Sequence, residues 1–206
     1  VSAGLGVEVN NTLVRLRSAT HPMHVRLNHH PQLMGLIKKD TQLANYVGVL
    51  ASYFPLYKKL EMQLMEFASR HSLPFDYSTR MKHHWLQEDL DYLKVDPKDY
   101  LSESAIEIPE IHSLSEWVGM LYPIEGSTLG GQMILKHVQS NLGLTHAGGA
   151  RFFSGYGKNT PLFWDEFGQF ANSALQDEAE CQLAELTAIK LFEKFEEALN
   201  EHARTH

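Results

Sequence analysis

The chain has 206 residues, enough for one domain with a substantial core, and its 43% hydrophobic and 21% charged residues are the balance of a globular protein. A formal charge of −7 argues against a protein that coats nucleic acid, and a single cysteine, Cys181, excludes an internal disulfide and fits a reducing compartment. No apolar run approaches ~18 residues and no leader pattern is visible, so the sequence reads as cytoplasmic, with no membrane partner.

Helical periodicity dominates from the start. Asn11 to Leu27 reads as a first helix, capped by Asn10 or Asn11, with Pro22 bending or restarting it. Residues 31–39 form a short amphipathic segment. Asp40 or Thr41 then caps a long helix that runs to about His71 and is kinked at Pro55. Ser78 to Leu93 gives another helix, and "VDPKDYLSESAIEIPEI" reads as loop. Ser113 or Ser115 starts a helix through Tyr122 that continues to Ser140. "NLGLTHAGGARFFSGYGKNTP" is a long glycine-rich connection, and Pro161 to Leu175 and Gln176 to Ala198 are the last helices. Nothing alternates with period two and no linker divides the chain. The expectation is an all-α bundle of about eight helices, a single domain over residues 1–206 with its core at about 12–200.

Within "YPIEGSTLGGQMILKHVQ" three glycines interrupt an apolar helical pattern, although glycine in a helix costs about 1 kcal/mol relative to alanine. Gly126 and Gly130 share a face, and Gly131 lies about 100° around. Bare backbone there admits either a tightly packed helix or a flat ligand. The stretch is not a phosphate loop, for it lacks the lysine and the preceding strand. Of the twelve histidines, His29–His30 and His83–His84 read as exposed pairs and His202 and His206 as a fraying tail. His24 differs. In "LVRLRSATHPMHVRL" it falls in line with Leu16, Thr20 and Leu27 on one face, as a satisfied core residue or as a ligand. A lone histidine facing a flat apolar wall does not suit zinc, which takes three or four protein ligands. It suits haem, whose iron needs one axial imidazole. Arg17, seven residues earlier, would stand at the pocket edge to meet a propionate.

At these stretches the sequence resembles the haem oxygenase family. "LRSATHPMH" resembles the proximal segment, whose last histidine, here His24, is the axial metal ligand. "EGSTLGGQ" resembles the distal segment, whose glycine backbone crosses the haem face. "RFFSGYG", Arg151 to Gly157, resembles bacterial biliverdin-producing members. The resemblance implies haem b between a proximal and a glycine-kinked distal helix. It implies oxidation of that haem to biliverdin, carbon monoxide and ferrous iron with O2 and an external electron donor: a ferredoxin, a flavodoxin-like protein or a reductase. Gly126, Ser127 and Gly130 would form the catalytic face. Arg17, His24, Tyr122, Gly126, Gly130, Gly131, Arg151 and Tyr156 would hold the cofactor, with Lys158 a weaker anchor. Many members carry an aspartate after the first glycine, where this chain has Ser127. Its hydroxyl can bond a water but cannot serve as a carboxylate anchor, and Glu125 is the nearest acid in sequence. The product could supply a photoreceptor, and the α-meso carbon is the default site of attack. Monomer and homodimer are both open. A non-catalytic haem sensor or carrier on the same fold is the alternative. A di-iron site on His84 and Glu88 and a pure helical interaction module are weaker readings.

Overall fold

The computed structural model describes residues 11–96 and 106–205, and these form eight α-helices and no strand. The first, α1 (Thr12–Asn28), is capped by Asn11, whose side chain accepts from the Val14 amide at 3.2 Å. Asn10 lies outside the described residues. Pro22 neither restarts nor breaks the helix. It removes only the amide that would serve Ser18, and both residues sit on the exposed side, where water can satisfy the freed carbonyl. The next helix, α2 (Pro31–Leu36), is shorter than its pattern, because the Thr41 hydroxyl donates to the carbonyls of Gly35 (2.8 Å) and Lys38 (2.6 Å) and turns the chain. That engagement also corrects the expected cap. The residue before α3 (Leu43–Arg70) is Gln42, and α3 runs on through Pro55.

A 3₁₀ turn at Tyr77–Arg80 precedes α4 (His83–Tyr92), so the helix expected from Ser78 begins five residues late, after Lys82 has turned its side chain into the core. The loop expected around residues 95–111 falls largely outside the described residues. The glycine-bearing helix α5 (Leu114–Leu142) is continuous. Ser113 accepts from the Glu116 amide at 3.2 Å while the Glu116 carboxylate accepts from the His112 amide at 2.9 Å, a capping box. It ends at Gly143, whose φ of 69° lets its amide reach back to the Gln139 carbonyl.

The glycine-rich connection holds a helical turn that the sequence did not announce, α6 (Arg151–Ser154). Its first two amides donate to the Asp89 carboxylate at 2.7 and 2.8 Å. The chain closes with α7 (Thr160–Ala174) and α8 (Glu178–Thr205).

The spine is α8, on which α1, α3 and α5 all pack, with α7 against both α1 and α5. The backbones of α5 and α8 come close at Gly119. A Cβ there would lie 2.5 Å from the Ala184 carbonyl oxygen and 2.8 Å from Thr187 Cβ, so glycine lets the backbones meet. Cys181 is buried on α8 as an ordinary small residue. No helix among the described residues is long and apolar enough to cross a membrane.

Candidate functional site

Both α1 and α5 pack on α8, and the strip between them, the α1–α5 groove, is the candidate site. Tyr122 of α5 lies beside Thr20 of α1, whose hydroxyl donates to the Leu16 carbonyl at 2.7 Å. Tyr122 is buried, its ring 5.8 Å from that of Trp164, and burial pushes its hydroxyl pKa up. Arg17, one turn before Thr20, is exposed and forms no ion pair among the described residues. Its charge acts on both Tyr122 and His24.

The His24 ring packs edge-on against Phe192 of α8, with centroids 6.0 Å apart, while its free edge is exposed. Its Nδ1 lies 3.3 Å from the amide nitrogen of Asn28, one helical turn on. Burial of the ring, then the neighbouring charges of His21 and Arg17, hold its pKa below the usual histidine range. That shift favours the neutral imidazole, the form that binds a metal.

Across the groove the three glycines of α5 separate by role. Gly131 is the packing glycine, since a Cβ there would stand 3.2 Å from the Phe153 carbonyl oxygen of α6. Gly126 faces the Trp164 ring at 3.7 Å, an ordinary contact distance. At Gly130 a Cβ would meet nothing within 4 Å. Beside it Leu129 and Met133 are 41% and 60% exposed, apolar area left bare along the same helix. Ser127 is half-buried. Its hydroxyl donates to the Ile124 carbonyl at 2.7 Å and lies 3.1 Å from the phenol oxygen of Tyr57, which burial keeps protonated.

Two expected cofactor residues lie elsewhere. The guanidinium of Arg151 covers the Trp85 ring at 4.0 Å and donates to the Gly155 carbonyl at 2.7 Å. Tyr156 donates to the Glu125 carboxylate at 2.9 Å on the outer side of α5. Glu125 is 1% exposed and also receives Lys82 at 2.6 Å and Arg80 at 3.0 Å, so it does not stand in for the missing aspartate. Lys158 is exposed in a 3₁₀ turn. His83 is not the free surface residue its pairing suggested, for its ring meets Glu61 at 2.6 Å. Among the described residues no three His, Cys, Asp or Glu side chains are grouped to hold a metal.

Sequence reasoning missed Asn28 and Tyr57. Asn28 was findable, since i+4 from a ligand candidate is one helical turn. Tyr57 comes from α3, seventy residues before Ser127, and no local pattern marks it. A separate groove of about 520 Å³ runs between residues 74–80 and α7. Its cation, Arg80, is already engaged by Glu125, Glu166 and the Phe163 carbonyl.

The groove between α1 and α5 is thus bordered by the His24 imidazole and the exposed guanidinium of Arg17 on α1, and by bare glycine backbone with the exposed Leu129 and Met133 on α5. Those features fit a flat, apolar, metal-bearing ring with acidic substituents.

The sequence matches the family model described as heme oxygenase over residues 10–201. The chain belongs to the haem oxygenase family, oxidoreductases that degrade haem to biliverdin. The fold is that of the NO- and CO-bound heme oxygenase of Neisseria meningitidis, at a TM-score of 0.77 and 20% identity over 94% of this chain and 92% of that one. It is similarly close to the heme oxygenase of Leptospira interrogans, with TM-score 0.76, 16% identity and coverage of 93% and 99%. The heme-bound heme oxygenase-1 of the cyanobacterium Synechocystis gives 0.72, 19%, and 93% and 91%. No curated protein matches the sequence significantly.

Proposed function

We propose that this chain binds haem in the groove between α1 and α5, with His24 as the axial ligand and the Gly126–Gly130 backbone over the opposite face. What supports the reading is a histidine on α1 with a side-chain partner at Nδ1 and a pKa held below the usual range, together with Gly130 on α5, where a Cβ would meet nothing within 4 Å. Haem, when bound, supplies the iron that takes up dioxygen and the meso carbon that is oxidised, with electrons from an external ferredoxin, flavodoxin-like protein or reductase.

The protein's part is placement. Asn28 orients the His24 ring. The Asn28 amide nitrogen faces Nδ1, and turning that amide so that its oxygen accepts from Nδ1–H would free Nε2 to ligate. Arg17 and Tyr122 stand where the acidic edge of the ring would arrive, and Arg17 supplies the charge for it. Leu129 and Met133 exclude water from the apolar face. Tyr57 donates to Ser127, whose own proton is directed to Ile124, so the hydroxyl is held as an acceptor toward the groove. No carboxylate reaches this face from α5, because Glu125 is turned away. Such a face can order a water but does not itself deliver a proton, which favours attack on the ring over cleavage by a strong distal acid.

The test is a hemin titration, then ascorbate or a reductase system under air, followed by visible spectra. A saturating Soret band should bleach as a biliverdin band grows, and His24→Ala should weaken hemin binding at least ~10-fold. A stable Soret band under every donor would reduce the protein to a haem carrier, and no binding would refute the site altogether.

A further inference from the structure

A second set of buried charged groups lies beneath α5, on the side away from the groove. Glu125 is 1% exposed, Lys82 0% and Arg80 4%. Glu125 accepts from Lys82 Nζ at 2.6 Å, from Arg80 at 3.0 Å and from the Tyr156 hydroxyl at 2.9 Å. Lys82 Nζ also donates to the Tyr156 oxygen at 3.0 Å and to the Arg80 carbonyl at 2.9 Å. Arg80 continues to Glu166 (2.6 Å) and to the Phe163 carbonyl (2.9 Å) of α7, its guanidinium lying over the rings of Phe75 and Phe163.

Buried ion pairs are a poor way to stabilise a fold, since desolvation offsets most of their attraction. They do fix geometry, because a fully satisfied network has one arrangement. Further contacts of this segment of α5 share this outer side. Thr128 packs on Gly155, where a Cβ would come within 3.1 Å of it, Gly131 abuts the Phe153 carbonyl, and Gln132 donates to the Ser154 carbonyl at 3.0 Å. Residues 125, 128, 131 and 132 form one helical stripe. On the opposite stripe, toward the groove, Leu129, Gly130 and Met133 are exposed and Gly126 faces the Trp164 ring at 3.7 Å. A buried charged cluster thus anchors this segment one residue before Gly126 and two before Ser127, while Gly126 has only an ordinary contact with the Trp164 ring and Ser127 one side-chain partner, Tyr57.

We infer that Glu125, clamped by Lys82, Arg80 and Tyr156, is a positioning residue for the haem reaction: it fixes the height and rotation of the distal segment, and so of the Ser127 hydroxyl and the glycine backbone, over the groove. This rests on the groove being the haem site. Glu125 itself touches neither substrate nor reacting atoms.

The test compares the wild-type chain with the double variant Glu125→Gln/Lys82→Met, which removes one charge of each sign so that neither is left buried alone. Backbone amide exchange is read first, on the haem-free protein. Amides of residues 126–132 should exchange at least ~10-fold faster in the variant while those of α3 keep their rates. The second readout is the pH midpoint of the visible spectrum of each hemin complex. It should move by about half a pH unit or more while hemin affinity stays within about threefold. Unchanged exchange, or exchange accelerated alike throughout the chain, overturns the inference, since a merely structural cluster would loosen everything together. Local loosening with an unmoved spectral midpoint overturns it too, because the anchor would then not reach the groove. If the wild-type chain takes up no hemin, the haem site itself falls and the role of Glu125 with it, whatever the exchange shows.

Discussion

Gly130 and Gly131 are neighbours with opposite surroundings, and the difference is measurable. A Cβ at Gly130 meets nothing within 4 Å, so Gly130→Ala should stabilise the haem-free protein by about 0.5–1 kcal/mol, the ordinary gain for alanine in a helix. At Gly131 the Cβ would press on a backbone carbonyl at 3.2 Å, and the same substitution should bring no gain. Thermal unfolding of the two variants decides this, and equal gains would show that α6 yields. Gly130→Val should leave the fold intact but lower hemin affinity at least ~10-fold, because the branched side chain fills the space left for the ring. The sequence made the glycines legible as a group. It could not sort them, since which one packs and which one stays open depends on α6, a single turn whose position was invisible.

At the scale of elements, what was legible was local. Asn11 before α1 and the Ser113–Glu116 box before α5 bond to amides within four residues, so the pattern carries the whole physical cause. The turn α6 has no such signature. Its amides are capped by Asp89, some sixty residues earlier, and Tyr46 of α3 donates to the Gly149 carbonyl just before it at 2.7 Å. The same distance hid Tyr57 and the Lys82–Glu125 pair, and it made Arg151 and Tyr156 look like cofactor residues when their polar atoms serve the fold. The Asp89 cap has a pH consequence. Burial pushes its carboxyl up to about 6, outweighing the two backbone amides that favour the charged form. A carboxyl whose pKa is higher folded than unfolded binds its proton more tightly in the native state. Its contribution is therefore fully present below about pH 4 and is lost as pH rises to about 6, a change of roughly 3 kcal/mol. The stability of wild type minus that of Asp89→Asn should fall by about that amount between those values and stay flat above. A difference that instead rises with pH would mean that the amides, not burial, dominate.

At the scale of the whole molecule, α8 is the shared support of α1 and α5 and so carries their spacing. That spacing is set at Gly119. Its Cβ would fall 2.5 Å from the Ala184 carbonyl oxygen, and backbone on both sides leaves no flexible end to give way. Gly119→Ala should therefore push α5 off α8. Overpacking of this kind costs about 1–3 kcal/mol, which for a chain of this size lowers the melting temperature by about 2–4 °C per kcal/mol. The functional consequence separates it from ordinary core damage. A shift of α5 moves Tyr122 and Gly126 relative to His24, so hemin affinity should fall even at temperatures where the variant is fully folded. Trp117, two residues away, gives the contrast. It donates from its indole to the Leu64 carbonyl at 3.0 Å, and Trp117→Phe should cost comparable stability through the lost hydrogen bond while leaving the α5–α8 spacing alone. Hemin titrations of the two variants at 10–15 °C below their own melting points, on the order used for folded-state comparison, test the argument. If both lose affinity equally, the spacing at Gly119 has no special bearing on the groove. If only Gly119→Ala loses it, the width of the haem site is set on the far side of α5 from haem.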